Sequence, residues 1–219
     1  FTAPARQGPV IADEWEDAKG VPISAILFGG RRASSVPLVT EAMSWRHGTF
    51  LGSIMASEKT AAAAGKIGEL RRDPMAMLPF CGYNYADYFA HWLGMEKATD
   101  PDKLPKIFFV NWFRRDDDGR FLWPGFGENS RVLKWVFERV NGDVDAIDTP
   151  IGKLPTKESL DTDGLEIDEA DLEAILSVDV DGWKSAVPQI RDHYARFGDR
   201  LPAVLNVEVD TLEAKLADA

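Results

Sequence analysis

Short apolar runs and helix-spaced stripes of apolar residues alternate along the chain, and their order predicts most of its elements. Residues 1–20 carry Pro and Gly without periodicity and predict an irregular leading segment. Val21 to Phe28 (VPISAILF) is an apolar run stopped by Gly29-Gly30, as expected of a buried strand. Val36–Ala42 and Thr49–Met55 predict two further strands. The block Ser57–Glu69 is rich in alanine, has no large apolar face and is punctuated by Gly65 and Gly68, so it predicts a mobile surface segment. Tyr85, Tyr88, Phe89 and Trp92 recur at helical spacing and predict a helix over Asn84–Met95. Ile107–Trp112 (IFFVNW) predicts a buried strand. Phe121–Trp123 predicts a second, shorter one after a turn at Asp116–Gly119. Val132, Trp135, Val136 and Val140 place a helix over Arg131–Val140, ended by Asn141-Gly142. Thr149–Pro155 reads as a loop. Asp168–Ser177, Gly182–Gly198 and Pro202–Ala217 read as peripheral helices, with Pro188 interrupting the middle one. Strands first and helices last predict an α/β fold of mixed α+β type, a mixed sheet with peripheral helices and a helical appendix. The organisation expected is one part over residues 1–155 and an acidic helical appendix over 156–219.

Composition narrows the class. Of 219 residues, 45% are apolar and 28% charged, which excludes disorder of the whole chain. No uncharged apolar run approaches the roughly 18 residues of a membrane span, so no membrane partner is expected. The single cysteine, Cys81, excludes an internal disulfide and a cysteine-built zinc site, and fits a reducing cytoplasm. The start at FTAP, without Met or a signal-peptide pattern, reads as a fragment or a processed chain. A formal net charge of −11 disfavours nucleic acid as a partner. The charge is uneven, however. Residues 143–219 hold 19 acidic and 7 basic side chains, whereas residues 1–142 hold 17 and 18. The first two thirds can therefore present a local anion site.

Three segments can carry chemistry. Gly29-Gly30-Arg31-Arg32 follows a predicted strand; two glycines permit a sharp turn and a close ligand, and two guanidiniums can clamp a phosphate. Taken alone, the segment fits a tight turn with solvated arginines better. Asn111-Trp112-Phe113 and Phe121 to Ser130 (FLWPGFGENS) place five aromatic rings within residues 111–126, interleaved with glycines. Flat rings can sandwich a flat ligand, and an Asn amide can both donate to and accept from a base edge. Each ring taken separately fits a core position better, and Asn129 fits a helix N-cap. Ser57–Glu69 suits either an active-site lid or a plain surface loop. The three histidines have no metal-ligand spacing, Cys81 reads as a buried small hydrophobe, and Asp116–Gly119 fits a polar turn rather than a calcium loop.

The strings FGGRR, VPLVTEA, SEKTAAA, DPMAM, PKIFFVNWFRRDDDGRFLWPGFGENSRVLKW and TPIGKLP, in this order, resemble the C-terminal part of GTP-dependent phosphoenolpyruvate carboxykinase. The likeness is close over residues 1–155 and looser through the acidic tail. FLWPGFGENSR is the most specific of these strings. That family decarboxylates oxaloacetate and phosphorylates the enolate with GTP, giving phosphoenolpyruvate, GDP and CO2 in gluconeogenesis. The resemblance implies a guanine slot lined by Phe113, Phe121 and Phe126, base contacts from Phe126, Gly127, Glu128 and Asn129, and a catalytic contact of Arg31 with the terminal phosphates. It implies a lid at about 59–69, including Lys59, Thr60, Ala61, Ala62, Ala63, Ala64 and Gly65. Ala33 and Ala56 depart from it, standing where many relatives carry Pro and Arg. The family's phosphate loop, G-x-G-K-T-like, has no counterpart here. The ligands of its manganese, and the arginines that grip the dicarboxylate, belong to its upstream part. What the resemblance implies is therefore a chain without turnover of its own. It would use GTP/GDP, with Mn2+ and nucleotide-bound Mg2+ held elsewhere, within a parent enzyme that is monomeric and cytoplasmic. The rival reading is a non-catalytic module whose aromatic cluster holds some other flat ligand.

Overall fold

A computed structural model describes residues 3–59 and 68–219. Among the described residues, seven strands are β1 (Ala25–Gly29), β2 (Val39–Glu41), β3 (Ala56–Glu58), β4 (Leu70–Arg72), β5 (Lys106–Val110), β6 (Ala146–Thr149) and β7 (Gly152–Pro155). The α-helices among the same residues are α1 (Trp45–Ser53), α2 (Tyr85–Gly94), α3 (Asn129–Asn141), α4 (Glu169–Leu176), α5 (Val180–Ala195) and α6 (Ala203–Ala217). Five strands form one mixed sheet in the order β1-β5-β2-β7-β6, and β3 pairs with β4 separately. β1 runs parallel to β5 with Ile26 opposite Ile107, while β2 runs antiparallel to both β5 and β7.

The period-2 alternation of β5 divides the interior. Ile107 and Phe109 face one side, where α1, α2, α5 and α6 cover the sheet. Phe108 and Val110 face the other, against Val132, Trp135 and Val136 of α3 and Ile175 of α4. Both layers bury their apolar stripes, so the mixed α/β architecture follows from the sequence pattern. Residues 156–219 contribute to both. Val187, Ile190, Leu205, Val209 and Leu216 are buried in the same cluster as Phe28 and Phe50. The Ser53 and Tyr194 hydroxyls meet at 2.5 Å between α1 and α5.

Four expectations need correction. Thr49–Met55 is not a strand but most of α1 and the residues after it. Ser44 caps that helix by accepting from the His47 N–H at 3.1 Å. Gly48 and Gly52, one turn apart, let it lie close to the sheet: a Cβ at Gly48 would stand 2.5 Å from Ile107 Cδ1. Tertiary fit thus overrides the β-propensity of Thr, Phe and Ile. Thr149–Pro155 is not a loop, because Thr149 and Gly152 close the β6–β7 hairpin. Phe121–Trp123 makes only an isolated bridge, Phe121 with Arg115. Pro188 does not interrupt α5, which continues through it from Val180 to Ala195.

Of the expected lid, Lys59 is described, and Thr60, Ala61, Ala62, Ala63, Ala64 and Gly65 lie outside the described residues. Its base is closed. The Lys59 N–H donates to the Glu69 carbonyl at 2.9 Å, and Lys59 Nζ pairs with a Glu69 carboxylate oxygen at 2.8 Å.

Candidate functional site

The loop after β1 is held from two sides. Gly29 and Gly30 have ordinary negative or extended φ angles, so neither is needed for a left-handed turn. They are needed for approach: a Cβ on Gly29 would meet Val110 Cγ2 at 3.0 Å, and one on Gly30 would meet the Ala56 carbonyl at 3.1 Å. The loop is thereby pressed between β5 and β3. From β3, Ser57 Oγ accepts from the Arg31 N–H at 3.1 Å, and Glu58 Oε1 accepts from the Ala33 N–H at 2.5 Å. A proline at position 33 has no N–H to give, so this bond is specific to the alanine. Directly after β5, the buried Asn111 amide donates to the carbonyls of Arg32 and Val36, both at 2.9 Å. Its side chain is spent on the backbone and is not available to read a ligand. The sequence pattern did not disclose this role for Asn111, or for Glu58. A polar residue directly after the apolar run was the only signal.

Beyond Asn111 the chain doubles back. Arg115 donates its N–H to the Ala33 carbonyl, and Leu122 donates to the Arg114 carbonyl, each at 2.9 Å. Gly119, at φ +83°, lets the turn close. Arg120 then fastens the turn to α4 through a forked pair with Asp171, at 2.8 and 3.0 Å. The result brings Phe113 and Phe121 together, ring centroids 6.2 Å apart and planes at 68°. The Arg31 guanidinium lies 5.3 Å from the Phe113 centroid, and that of Arg115 lies 4.2 Å from the Phe121 centroid. So the side chain of the Gly-Gly-Arg-Arg loop and the aromatic pair, about eighty residues apart in sequence, share one surface.

The glycine-rich stretch adds a strained ring. Phe126 has φ +47° and is 96% exposed. Left-handed backbone at a non-glycine residue is unfavourable by about 1–2 kcal/mol, and leaving an aromatic ring in water adds to the cost. Residues 126–128 form one 3-10 turn leading into α3. Glu128 is tied to Arg131 at 2.5 Å. Asn129 does not cap α3. Its Oδ1 accepts from the indole N–H of the buried Trp123 at 2.9 Å, and its Nδ2 has no partner among the described residues. The ring contacts join Phe113 to Phe121 and do not extend to Phe126.

Among the described residues no group of three or more His, Cys, Asp or Glu side chains is placed to hold a metal ion. His47 and His193 are buried, and burial above all lowers each to about 4, so both are neutral at pH 7. No described helix is long and apolar enough to cross a membrane.

Comparison with known proteins is consistent with these features. The family model of the phosphoenolpyruvate carboxykinase C-terminal P-loop domain matches residues 1–215. Proteins named phosphoenolpyruvate carboxykinase (GTP) match throughout. The one from Treponema pallidum (strain Nichols) is 54% identical over 218 residues, covering 99% of this chain and 35% of the relative. That from Arthrobacter sp. (strain FB24) is 52% identical, covering 100% and 36%, and that from Renibacterium salmoninarum 53%, covering 99% and 36%. The chain spans about a third of the length of these relatives. On this match, it belongs to the family of the GTP-dependent phosphoenolpyruvate carboxykinase C-terminal domain.

Proposed function

We propose that this chain is the guanine-nucleotide-binding part of an enzyme that converts oxaloacetate and GTP into phosphoenolpyruvate, GDP and CO2. The observation that carries the reading is Arg31 beside Phe113, which joins a phosphate-seeking cation to an aromatic pair on one surface. A nucleotide has the same two ends, a flat base and an anionic tail.

In this reading the base stacks among Phe113, Phe121 and Phe126. The exposed Phe126 finds in the base the contact it lacks in the free chain, which offsets its strained backbone. The 3-10 turn over Phe126, Gly127 and Glu128 offers backbone groups to the base edge, and Asn129 offers Nδ2, a donor suited to guanine O6. Adenine carries an amino group at that place, so its binding leaves two donors opposed. Arg31 takes the terminal phosphates. The reaction balances as two transfers: the C–C bond to the carboxylate breaks and leaves an enolate, whose oxygen attacks the γ-phosphorus while GDP departs. A guanidinium there stabilises the charge shifted onto GDP. The β3–β4 pair, locked by Lys59 and Glu69, anchors the segment assigned as lid, which excludes water from the enolate.

The residues present do not fit the family's metal. No candidate cluster of ligands occurs among the described residues. The phosphate loop, the metal ligands and the dicarboxylate grip are assigned to the remaining two thirds of a polypeptide of the relatives' length. The 219-residue chain is accordingly inactive alone, and the complete enzyme is a cytoplasmic monomer. The rival binding module without chemistry draws no support from the family match.

Substituting Arg31 tests the reading. Arg31→Met is expected to weaken GDP binding at least tenfold and to leave guanosine binding unchanged, measured by calorimetry. Equal loss for both ligands, or for neither, contradicts the placement of Arg31 at the phosphates.

A further inference from the structure

A second anion-seeking feature lies away from the aromatic surface. Between the sheet, the β3–β4 pair and α5 is a cavity of about 500 Å³, within the range of small-molecule sites. Apolar side chains, among them Trp183, Ile190 and Ile151, form much of its wall. Three guanidiniums line it as well: Arg32 from the loop after β1, Arg72 from β4 and Arg196 from the end of α5.

Among the described residues none of the three makes an ion pair, although sixteen such pairs occur elsewhere among them. Burial pushes the Arg32 guanidinium below its usual range, and the nearby Glu58 offsets that only in part. Arg72 donates one bond to the Ile54 carbonyl at 2.7 Å. Burial, then repulsion from Arg32 and Arg196, pushes its guanidinium below the usual range. His193 lines the same cavity but is neutral at pH 7, and Asp192 at the wall pairs with none of the arginines. Clustered cations, of which Arg32 and Arg72 are part-buried and none is in an ion pair among the described residues, are costly unless something anionic completes them.

We propose that this cavity is an oxyanion site, in which Arg32, Arg72 and Arg196 together hold a multivalent carboxylate or phosphate with a small apolar body. The anion is either a free small molecule or carboxylate side chains from elsewhere in a polypeptide of the relatives' length. The site is separate from the nucleotide surface, because Arg31 does not line it.

The test is thermal unfolding of the 219-residue chain against citrate and inorganic pyrophosphate at fixed ionic strength, with chloride as control. The expected result is a saturable rise in Tm. It is retained in Arg31→Met, which separates it from the nucleotide reading. It is weakened at least tenfold in Arg72→Met and in Arg196→Met; Arg196 is exposed at a helix end, so that variant folds. Saturation at micromolar anion identifies a free small molecule. Saturation only at millimolar anion identifies tethered carboxylates, whose effective concentration is of that order. Absence of a saturable rise, or an unaltered rise in the Arg72 and Arg196 variants, overturns the proposal.

Discussion

Asn111 and Arg32 bond to each other twice. Asn111 Nδ2 donates to the Arg32 carbonyl at 2.9 Å, and the Arg32 N–H donates to Asn111 Oδ1 at 3.3 Å. The same amide also serves Val36 and Phe113. One side chain thus sets the loop that presents Arg31 and the start of the segment that presents Phe113. Asn111→Leu keeps the volume and strands up to four backbone groups, one buried and three part-buried. It is expected to cost about 3 kcal/mol in urea unfolding, at roughly 1 kcal/mol or more per group left unpaired. A loss below about 1 kcal/mol would show that the loop holds itself.

Phe126 separates stability from binding. Asn tolerates left-handed backbone better than Phe. Phe126→Asn is expected to leave unfolding within about 0.5 kcal/mol of the parent or slightly above it, since a fully exposed ring is removed. GDP binding is expected to fall by about 1–3 kcal/mol, the worth of one stacked base. A destabilised variant with intact GDP binding contradicts the account of this ring.

Gly48→Ala sets two effects against each other. Alanine gains about 1 kcal/mol of helix propensity. Its Cβ would also stand 2.5–2.9 Å from three atoms of the buried Ile107, and overpacking of this kind costs about 1–3 kcal/mol. The clash is with a branched side chain fixed in the sheet, so the net effect expected is destabilising, read as a lower urea midpoint at unchanged m-value. A higher midpoint would mean that α1 rides farther from β5.

Stability is expected to fall as pH drops from about 6.5 to about 4. His47 and His193 are both lowered to about 4 in the folded chain by burial first, then by Lys215 and Arg72 respectively. In the unfolded chain they take up protons near 6.5, so in that window the unfolded state binds more protons and is favoured by acid. Each histidine is expected to contribute roughly 3 kcal/mol across the window. Urea unfolding at stepped pH checks this, and His193→Gln should flatten the slope. A stability independent of pH between 7 and 4.5 contradicts burial of the neutral rings.

Continuous apolar runs and helical stripes were legible in the sequence because burial imposes them: IFFV gave β5, and the Trp135 face gave α3. Short contacts between elements were not legible. Thr49–Met55 has strand-like residues, and the Ser44 cap and the close approach of Gly48 to Ile107 go with its helical form. The β6–β7 hairpin lacks a strong apolar run, and its pairing rests on Gly152, at φ +135°, passing the Glu41 carbonyl. At the site, the string FLWPGFGENSR pointed to Phe121 and Phe126, and the segment Asn111–Phe113 to Phe113. The left-handed backbone of Phe126, the spent amide of Asn111 and the meeting of Arg32, Arg72 and Arg196 depend on three-dimensional approach, which residue order does not encode locally.

The central claim is that this chain carries a guanine-reading surface. Calorimetric titration of the 219-residue chain with GDP and with ADP, under one set of conditions, tests it most directly. The account predicts saturable GDP binding at least tenfold tighter than ADP binding. Equal binding of the two nucleotides would contradict it, because an aromatic platform that ignores the base edge holds either one.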